Sequence, residues 1–588
     1  MSSKHFINDP TKLVNDALFG ITLANPAVAL DADNKTIYRR PNLNGSSQVS
    51  LLSGGGSGHE PSFAAFVGDG LLSAAVAGTI FASPNTEQVR KAVMGLVDST
   101  RGVLVIVMNY TGDVLNFGVA VEQAKSAGLN VEMLVVADDV GVGRQKAGKV
   151  GRRGIAGTVL VQKIAGALAA QGADLAEVHR IGRLAADNLV SVGASLEHVH
   201  VPGHVAAHAD DGLKLGEVEL GMGIHNEPGS GKRTADLPEL VTAMLAQLLD
   251  QSDKDRAFLS IKSSDEVVLL VNNLGGVSVL EMGGITTEVV TQLKGQYDIR
   301  PVRILSGTYM TSLNGLGFSI SLLKVADTGI NGSTMIQLLD APSEATGWSA
   351  PISTQTWEAK VQSTREYKEA PIRKVQPTGL KLNPATAKAA LVRGLERVVA
   401  SEPEITKYDE VVGDGDCGFG LKRGAEAILT FLAQRKFSGD AVVDVADIVL
   451  LVEKTMDGTS GALYTIFLNA LVRSLAAIPP GEATSQVWAK ALEQSSAAMS
   501  KYTSARPGDR TLVDALYPFI EVLGKTGDVK EAAKAASLGA EKTKGMKASL
   551  GRTVYVGGTG FQEFPDPGAW GLRCFFLGLA GIESTNSV

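Results

Sequence analysis

Three aspartates, Asp409, Asp414 and Asp416, lie within eight residues of one another beside the glycine-rich stretch 413–420. Carboxylates this close repel one another, so a fold keeps them together by binding a cation or by raising a pKa. The glycines allow the tight backbone turns that bring the side chains together. Carboxylate oxygens suit Mg²⁺, which completes its coordination shell with water and substrate phosphates. The stretch therefore predicts a metal site for phosphoryl chemistry.

Two other interpretations of this stretch fail. Gly413, Gly415 and Gly418 match the dinucleotide-binding fingerprint, but the neighbouring aspartates would repel a pyrophosphate bound on bare amides. An EF-hand loop that begins at Asp414 needs a glutamate at its twelfth position, where the chain has Ala425. A solvated acidic turn before a helix stays open as the alternative.

Three glycine-containing loops in the first half of the chain carry residues suited to acid–base or covalent chemistry. His59 follows the glycine run 54–58, at the end of a strand-like segment, where α/β sheets bind ligands. Asp113 follows the apolar segment 102–108 and is a candidate general base for a hydroxyl group, or else a helix N-cap. His225 could add to a carbonyl group and form a hemiaminal. A structural role is the alternative for both histidines.

The densest histidine cluster is predicted to be structural. It contains His198, His200, His204 and His208. The last two have i,i+4 spacing, but no glutamate lies between them as a zinc-binding helix of that type requires.

Predicted helix starts in the second half carry groups that suit phosphate. Thr459 and Ser460 open one helix with hydroxyls and free amides. Arg510 and Arg552 add cations, and Asp566 begins the last helix. Simple helix capping is the alternative for each.

The first half alternates strand-like and helical segments, as an α/β protein does. Residues 343–384 lose this hydrophobic period and have the composition of an interdomain linker. We therefore predict an α/β domain over 1–342, a linker over 343–384 and an all-α domain over 385–588. The predicted strands are 48–53, 102–108, 131–137, 266–271 and 302–305, with helices at 158–170 and 174–192. The eight predicted helices of the second half are 385–401, 421–434, 442–456, 461–476, 488–501, 512–523, 529–544 and 567–579.

Composition excludes several classes of function. The formal net charge is −7, which disfavours a nucleic-acid or anionic-membrane surface. The two cysteines are too few for a disulfide framework and indicate a reducing compartment. No uninterrupted apolar run reaches membrane-spanning length. We expect a cytoplasmic protein.

Essentially the whole chain resembles the single-chain, ATP-dependent dihydroxyacetone kinases, because six short motifs occur in that family's order. They are Gly-Gly-Gly-Ser-Gly-His-Glu-Pro (54–61), Asn-Tyr-Thr-Gly-Asp (109–113), Gly-Ile-His (223–225), Gly-Asp-Gly-Asp-Cys-Gly (413–418), Gly-Thr-Ser-Gly-Ala (458–462) and Pro-Gly-Asp-Arg-Thr (507–511).

The resemblance implies phosphorylation of dihydroxyacetone, and of D-glyceraldehyde, by an α/β substrate domain joined to an eight-helix barrel that holds Mg-ATP at one end. His225 would bind the triose carbonyl covalently, Asp113 would activate the substrate hydroxyl, and His59 would be the neighbouring acid or base. Gly56, Ser57 and Gly58 would form the substrate loop.

The same resemblance implies the metal, nucleotide and partner contacts. Asp409, Asp414 and Asp416 would hold two Mg²⁺ ions, with Mn²⁺ as a substitute. Relatives form homodimers in which the substrate domain of one chain meets the nucleotide domain of the other. The implied nucleotide contacts are Asp416, Cys417, Gly418, Phe419, Thr459, Ser460, Thr503, Leu512, Arg552, Asp566, Pro567 and Gly568.

Met108 departs from the family pattern, which usually has lysine at this substrate-binding position. Methionine cannot donate a hydrogen bond or stabilise a developing negative charge. Either another cation substitutes, or substrate affinity or turnover is altered. Met108 motivates one alternative, a triose-binding regulatory protein with weak kinase activity. The resemblance to animal members of the family implies a second, the splitting of FAD to AMP and cyclic FMN by the nucleotide domain.

Overall fold

A computed structural model describes residues 4–40, 47–204, 212–359, 375–547, 550 and 563–583 of the chain. It divides into two compact units, Met1–Arg365 and Glu366–Val588. None of the described helices is both long enough and apolar enough to cross a membrane.

The first sheet of the N-terminal unit has the strand order β1-β2-β4-β3-β5-β6. Strands β4, β3, β5 and β6 are parallel to their neighbours, and β1 and β2 add an antiparallel edge. All residues of β5 are buried, because helices cover both faces of the sheet. The strands are β1 (Val28–Asp31), β2 (Thr36–Arg39), β3 (Ser50–Ser57), β4 (Ala74–Ile80), β5 (Val103–Met108) and β6 (Val131–Val136).

The second sheet of this unit has the order β11-β10-β12-β7-β8-β9. Only the pair β10–β11 is parallel among its described strands. The strands are β7 (Leu189–Ser195), β8 (Glu217–Leu220), β9 (Gly231–Thr234), β10 (Val267–Asn273), β11 (Arg303–Gly307) and β12 (Gly317–Lys324).

Helices pack against both sheets and supply much of the apolar core. Helix α5 is buried along nearly its whole length, and Phe117 of α3 packs on the other side of the first sheet. The helices are α1 (Pro10–Ala24), α2 (Thr86–Lys91), α3 (Thr111–Ser126), α4 (Arg144–Ala147), α5 (Thr158–Ala170), α6 (Leu175–Asp187), α7 (Leu237–Leu249), α8 (Val279–Tyr297), α9 (Met335–Asp340) and α10 (Thr354–Glu358).

In its described residues the C-terminal unit is helical, apart from the short parallel pair Leu380–Lys381 and Gly481–Glu482. Its helices surround an apolar cavity of about 980 Å³, as a barrel does, and Phe519 and Phe576 stack with ring centroids 3.8 Å apart. The helices are α11 (Pro384–Ala400), α12 (Glu402–Val412), α13 (Cys417–Gln434), α14 (Ala441–Thr455), α15 (Gly458–Ala476), α16 (Ser485–Met499), α17 (Val513–Thr526), α18 (Val529–Lys542) and α19 (Pro567–Leu579).

The structure confirms the predicted fold class and corrects several boundaries. The helix predicted over 174–192 ends at Asp187, because the apolar residues after it form β7. Strand β3 continues through glycines 54–56, which were assigned to a loop. Helix α12 was not predicted, since its exposed face carries Glu404, Lys407 and Glu410 and its apolar residues are few.

Both described ends of the segment assigned to a linker pack against the two units. Trp348 is 6% exposed and contacts Phe66 and Tyr309 in the core of the N-terminal unit, and α10 follows it. Leu380, near the other end of the segment, is buried in the C-terminal unit. The composition of a polar segment does not show that one large aromatic side chain, here Trp348, packs into a hydrophobic core.

Candidate active site

Two histidines from different sheets meet in the N-terminal unit. His59 follows β3 of the first sheet, and His225 lies in the loop between β8 and β9 of the second. Their Nε2 atoms are 2.9 Å apart, within hydrogen-bond distance. The rings are nearly perpendicular, with centroids 4.8 Å apart. His59 is fully buried. The structure therefore brings together two of the three residues to which catalysis was assigned.

The second nitrogen of each ring fixes the position of a proton. Nδ1 of His59 lies 2.8 Å from the carbonyl oxygen of Thr311, and a carbonyl only accepts, so this nitrogen carries hydrogen. Nδ1 of His225 lies 2.9 Å from Oε1 of Glu227, so it too donates when that carboxylate is ionised. The hydrogen bond between the Nε2 atoms needs one more proton. The pair therefore carries one positive charge in this geometry.

Burial and the Glu227 carboxylate determine where that charge rests. Desolvation, followed by the charge of His225, lowers the pKa of His59 to about 3. Burial opposes ionisation of Glu227, but hydrogen bonds from His225 and its charge outweigh this effect and lower the pKa of Glu227 to about 2. Positive charge on the His59 ring is therefore disfavoured, and the ionised Glu227 carboxylate accepts a hydrogen bond from Nδ1 of His225.

Asp113 lies in the first turn of α3, directly after β5, and is 4% exposed. Its Oδ1 has no hydrogen-bond partner among the described residues. Burial raises the pKa of Asp113 to about 6, although a hydrogen bond with Ser83 and the charge of His225 act in the opposite direction. A Cβ added to Gly55 would lie 3.7 Å from its Oδ2, so the glycine strand passes close to this carboxylate. Asp113 is thus a buried base with an unused acceptor.

The predicted substrate loop is the end of β3 and the turn after it. A side chain on Gly56 would approach backbone atoms of Phe81 and Ala82 to 2.8 Å, which explains the glycine. The Ser57 hydroxyl donates to the carbonyl of Gly78, and the Gly58 amide donates to the Glu60 carboxylate. These contacts fix the loop and leave little side-chain chemistry in it.

Met108 is the last residue of β5 and is 1% exposed within the apolar core. It contributes no polar group at the position where the family pattern has a substrate-binding lysine.

Aromatic rings enclose the histidine pair, and sequence analysis assigned them no role. Phe81 stacks on His59 at 5.3 Å and meets His225 edge-on at 5.1 Å. Tyr110 meets His225 edge-on at 4.7 Å. Tyr110 belongs to the motif 109–113, and Glu227 lies two residues after the motif 223–225, but no sequence signal points to Phe81.

The three aspartates of the C-terminal unit come together as predicted. One carboxylate oxygen from each of Asp409, Asp414 and Asp416 lies within 4.8 Å of the others. Asp409 is buried at the end of α12 and accepts a hydrogen bond from the Cys417 amide at 3.0 Å, while the other two are exposed. This donor set of two exposed and one anchored carboxylate fits Mg²⁺.

Several predicted nucleotide contacts lie near these aspartates. The Cys417 thiol hydrogen-bonds with Ser460, so the starts of α13 and α15 meet. Burial, followed by the charge of Asp409, raises the pKa of this thiol to about 12. At the start of α19, Asp566 accepts from the Ala569 amide at 2.8 Å. Burial raises the pKa of Asp566 to about 6, and the charge of Asp409 acts in the same direction.

The other predicted nucleotide contacts differ in their surroundings. Leu512 lies next to Gly568, whose added Cβ would be 3.5 Å from the leucine Cβ. Phe419 is 58% exposed, and Thr503 bonds locally to the Ala505 amide. Arg552 lies outside the described residues.

Arg510 is 2% exposed, and its Nη2 donates to the Phe564 carbonyl at 2.9 Å. Nε and Nη1 have no acceptor within the described part of the chain, and Asp566 is close enough to influence its pKa. A buried guanidinium with two unused donors suits an anion.

The described residues of the histidine cluster make hydrogen bonds within the N-terminal unit, which are compatible with a structural role. His198 pairs with Glu219 at 2.9 Å, and His200 contacts His5 and the His204 carbonyl. His208 lies outside the described residues.

An α/β unit with a buried histidine pair, joined to a helical unit with clustered carboxylates, defines a class of two-domain proteins. A family model for the Dak1 domain matches residues 19–347, and one for the DAK2 domain matches residues 411–581. The chain belongs to the dihydroxyacetone kinase family.

Relatives match the chain over almost its full length. It is 45% identical to the dihydroxyacetone kinase of Pichia angusta, over 99% of both chains. It is 35% identical to the triokinase/FMN cyclase of Homo sapiens, over 97% of both. The crystal structure of the dihydroxyacetone kinase from C. freundii in complex with AMP-PNP and Mg²⁺ matches with 32% identity and a TM-score of 0.63. That match covers 99% of this chain and 100% of the other.

Proposed function

We propose that this chain transfers the γ-phosphoryl group of ATP to dihydroxyacetone, and also to D-glyceraldehyde, yielding the triose phosphate. The observation that carries the proposal is the buried hydrogen bond between the Nε2 atoms of His59 and His225, 2.9 Å apart. In the proposed division of labour, residues 1–342 hold the triose and residues 385–588 hold ATP.

The first step is addition of His225 to the triose carbonyl. Because both Nδ1 atoms carry hydrogen, only the Nε2 atoms exchange the shared proton. When this proton is on His59, Nε2 of His225 has a free electron pair and forms a bond to the carbonyl carbon. The carbonyl π electrons move to oxygen, which takes the proton from His59. The products are a hemiaminal with neutral His59 and an alkylated imidazolium beside Glu227.

The second step is phosphoryl transfer to the terminal hydroxyl of the held triose. Asp113 takes the proton of this hydroxyl through its unpartnered Oδ1. With its pKa at about 6, the carboxylate is mostly ionised at neutral pH yet basic enough to accept a proton. Positioning and electrostatic stabilisation supply most of the rate in such transfers.

Asp409, Asp414 and Asp416 are the residues that would hold magnesium, and two ions with Mn²⁺ as a substitute are proposed. When bound, the metal neutralises charge on the ATP phosphates. Arg510 would add a buried cation toward the nucleotide. The other proposed nucleotide contacts are Cys417, Gly418, Phe419, Thr459, Ser460, Thr503, Leu512, Arg552, Asp566, Pro567 and Gly568.

The test is ADP release with Mg-ATP and, separately, dihydroxyacetone, D-glyceraldehyde and glycerol. Glycerol has no carbonyl and cannot form the adduct, so turnover with the two trioses alone is expected. His225→Ala should remove the adduct, which is followed with [2-¹³C]dihydroxyacetone by the shift of the labelled carbon out of the carbonyl region. An unchanged adduct in this variant would exclude His225 as the nucleophile.

A second activity, conversion of FAD to AMP and cyclic FMN, is proposed because a relative covering 97% of the chain is named triokinase/FMN cyclase. Incubation of the full chain with FAD and Mg²⁺ or Mn²⁺ tests it. Formation of cyclic FMN that disappears in an Asp414→Asn/Asp416→Asn variant would support the proposal, and no cyclic FMN would refute it.

Met108 motivates the remaining alternative, a triose-binding regulatory protein. This alternative requires an adduct on His225 without ATP turnover, so the same two assays distinguish it from the kinase.

We also propose a homodimer in which the substrate unit of one chain meets the nucleotide unit of the other, and a cytoplasmic location. Sedimentation velocity tests the first of these. Cys417 and Cys574 form no disulfide, as a reducing compartment requires.

A further inference from the structure

We propose that Arg153, held by Asp139, is a positioning residue that fixes the Glu227 carboxylate against His225 and so sets the affinity of the covalent triose adduct. This inference rests on the proposed function and adds the charged network behind the nucleophile.

The network begins at the histidine itself. Glu227 binds His225 twice, through Oε1 to the ring Nδ1 at 2.9 Å and through Oε2 to the backbone amide at 3.0 Å. Nη1 of Arg153 lies 3.9 Å from the same Oε2. Arg153 therefore approaches the carboxylate oxygen that does not bind the imidazole ring.

Arg153 is held rigidly on its other side. Its Nε and Nη2 lie 2.8 and 2.7 Å from Oδ2 of Asp139, and Nη2 also donates to the Gly221 carbonyl at 2.7 Å. Asp139 is 1% exposed, and its Oδ1 accepts from the Gly141 amide at 2.8 Å. The guanidinium thus joins the segment after β6 to the start of the loop that carries His225.

Gly223 is a second, independent observation that supports the contact between Arg153 and Glu227, because this contact leaves no space for a side chain at position 223. A Cβ at this position would collide with Oε2 of Glu227 and with Nη1 of Arg153. Both atoms are side-chain ends, so a methyl group would displace the carboxylate and the guanidinium without moving backbone. The glycine at position 223 therefore leaves the space in which the side chains of Arg153 and Glu227 meet.

The charges of the network match the chemistry of the adduct. Glu227 and Asp139 with Arg153 sum to one negative charge, which balances the single positive charge of the alkylated imidazolium. Removing Arg153 and the Asp139 charge together leaves this sum unchanged. The double variant therefore tests the position of Glu227 rather than the net charge near His225.

The experiment compares wild type, Arg153→Met/Asp139→Asn, Gly223→Ala and the control Arg183→Met. Arg183 is an exposed arginine of the same unit, and its Nε lies 3.7 Å from Oδ2 of Asp187 on its own helix. Adduct affinity is measured by titrating each protein with [2-¹³C]dihydroxyacetone, and KM and kcat are measured by ADP release. Thermal melting shows which variants fold.

We expect the double variant and Gly223→Ala to bind the adduct about tenfold more weakly, corresponding to about 1.4 kcal/mol. KM should rise in parallel while kcat stays near the wild-type value, because the adduct once formed is unchanged. Arg183→Met should match wild type. A lower melting temperature or a lower kcat with unchanged adduct affinity would overturn the positioning role. If the double variant does not fold, Gly223→Ala decides alone. A wild-type protein without any adduct would instead refute the proposed function, and this inference with it.

Discussion

Replacing Asp113 with asparagine exchanges a buried carboxylate for a neutral group of the same shape. Asp113 is the proposed base, and a positioned general base typically contributes about 10²–10⁴ in rate. The variant should therefore lose at least about a hundredfold in kcat, while the adduct on His225 still forms because its groups are untouched.

The same change should stabilise the N-terminal unit at neutral pH. Burial raises the pKa of Asp113 from its usual 3.8 to about 6, so the ionised side chain destabilises the folded state. Two pKa units correspond to about 3 kcal/mol in the free energy of unfolding. An unpaired buried amide hydrogen of the asparagine would lower that free energy by about 1–2 kcal/mol. A gain of about 1–2 kcal/mol remains.

The pH dependence separates this explanation from others. Well below the unfolded pKa of 3.8 the aspartate is protonated in both the folded and the unfolded chain, so the variant should have no charge-related advantage there. Between the unfolded pKa of 3.8 and the folded pKa of about 6 the advantage should grow, and above pH 6 it should be constant. Wild-type kcat should fall about tenfold from pH 7 to pH 5 as the base is protonated.

Calorimetry at pH 4 to 8, with ADP release in parallel, measures both effects. Full activity in the asparagine variant would refute the base assignment. A stability difference that is equal at pH 4 and pH 7 would refute the buried charge as its cause.

Three further changes test other parts of the molecule. Asp414→Asn/Asp416→Asn should abolish metal-dependent ATP binding by calorimetry and leave the triose adduct intact, whereas the exposed neighbour Glu410→Gln should not; unaltered ATP affinity in the first variant would contradict the metal assignment. Met108→Lys should raise kcat/KM if the departure from the family pattern is costly, and an unchanged value would mean that the lysine is dispensable here. Phe576→Ala removes a buried ring stacked on Phe519 and should cost the helical unit about 3–5 kcal/mol; a urea titration that shows no loss would refute the importance of this contact.

Local patterns in the sequence predicted the features that depend on neighbouring residues. The aspartate cluster spans eight residues, so spacing and glycines sufficed to bring it together. Helix α5 occupies the predicted range, because its apolar period is uninterrupted. The apolar residues after α6 continue the apolar pattern of the helix, so the sequence did not separate the strand from the helix. They form a strand because they pair with β12.

The candidate site depends on contacts between distant parts of the chain, which local pattern does not encode. His59 and His225 are 166 positions apart and meet only because loops from the two sheets converge. Phe81 stacks on this pair without any motif around it. The low pKa of His59 and the raised pKa of Asp113 both follow from burial, a quantity that spacing does not provide.

The origin of the site residues in two sheets has a mechanical consequence. His59 and Asp113 are carried by the first sheet, whereas His225 and the Thr311 carbonyl belong to connections of the second. A triose bonded to His225 and hydrogen-bonded to Asp113 would be a further cross-link between the two layers, in addition to the contacts of His59 with His225 and with the Thr311 carbonyl. Bound substrate would then stabilise the folded N-terminal unit reversibly. The gain in its free energy of unfolding would grow logarithmically with triose concentration.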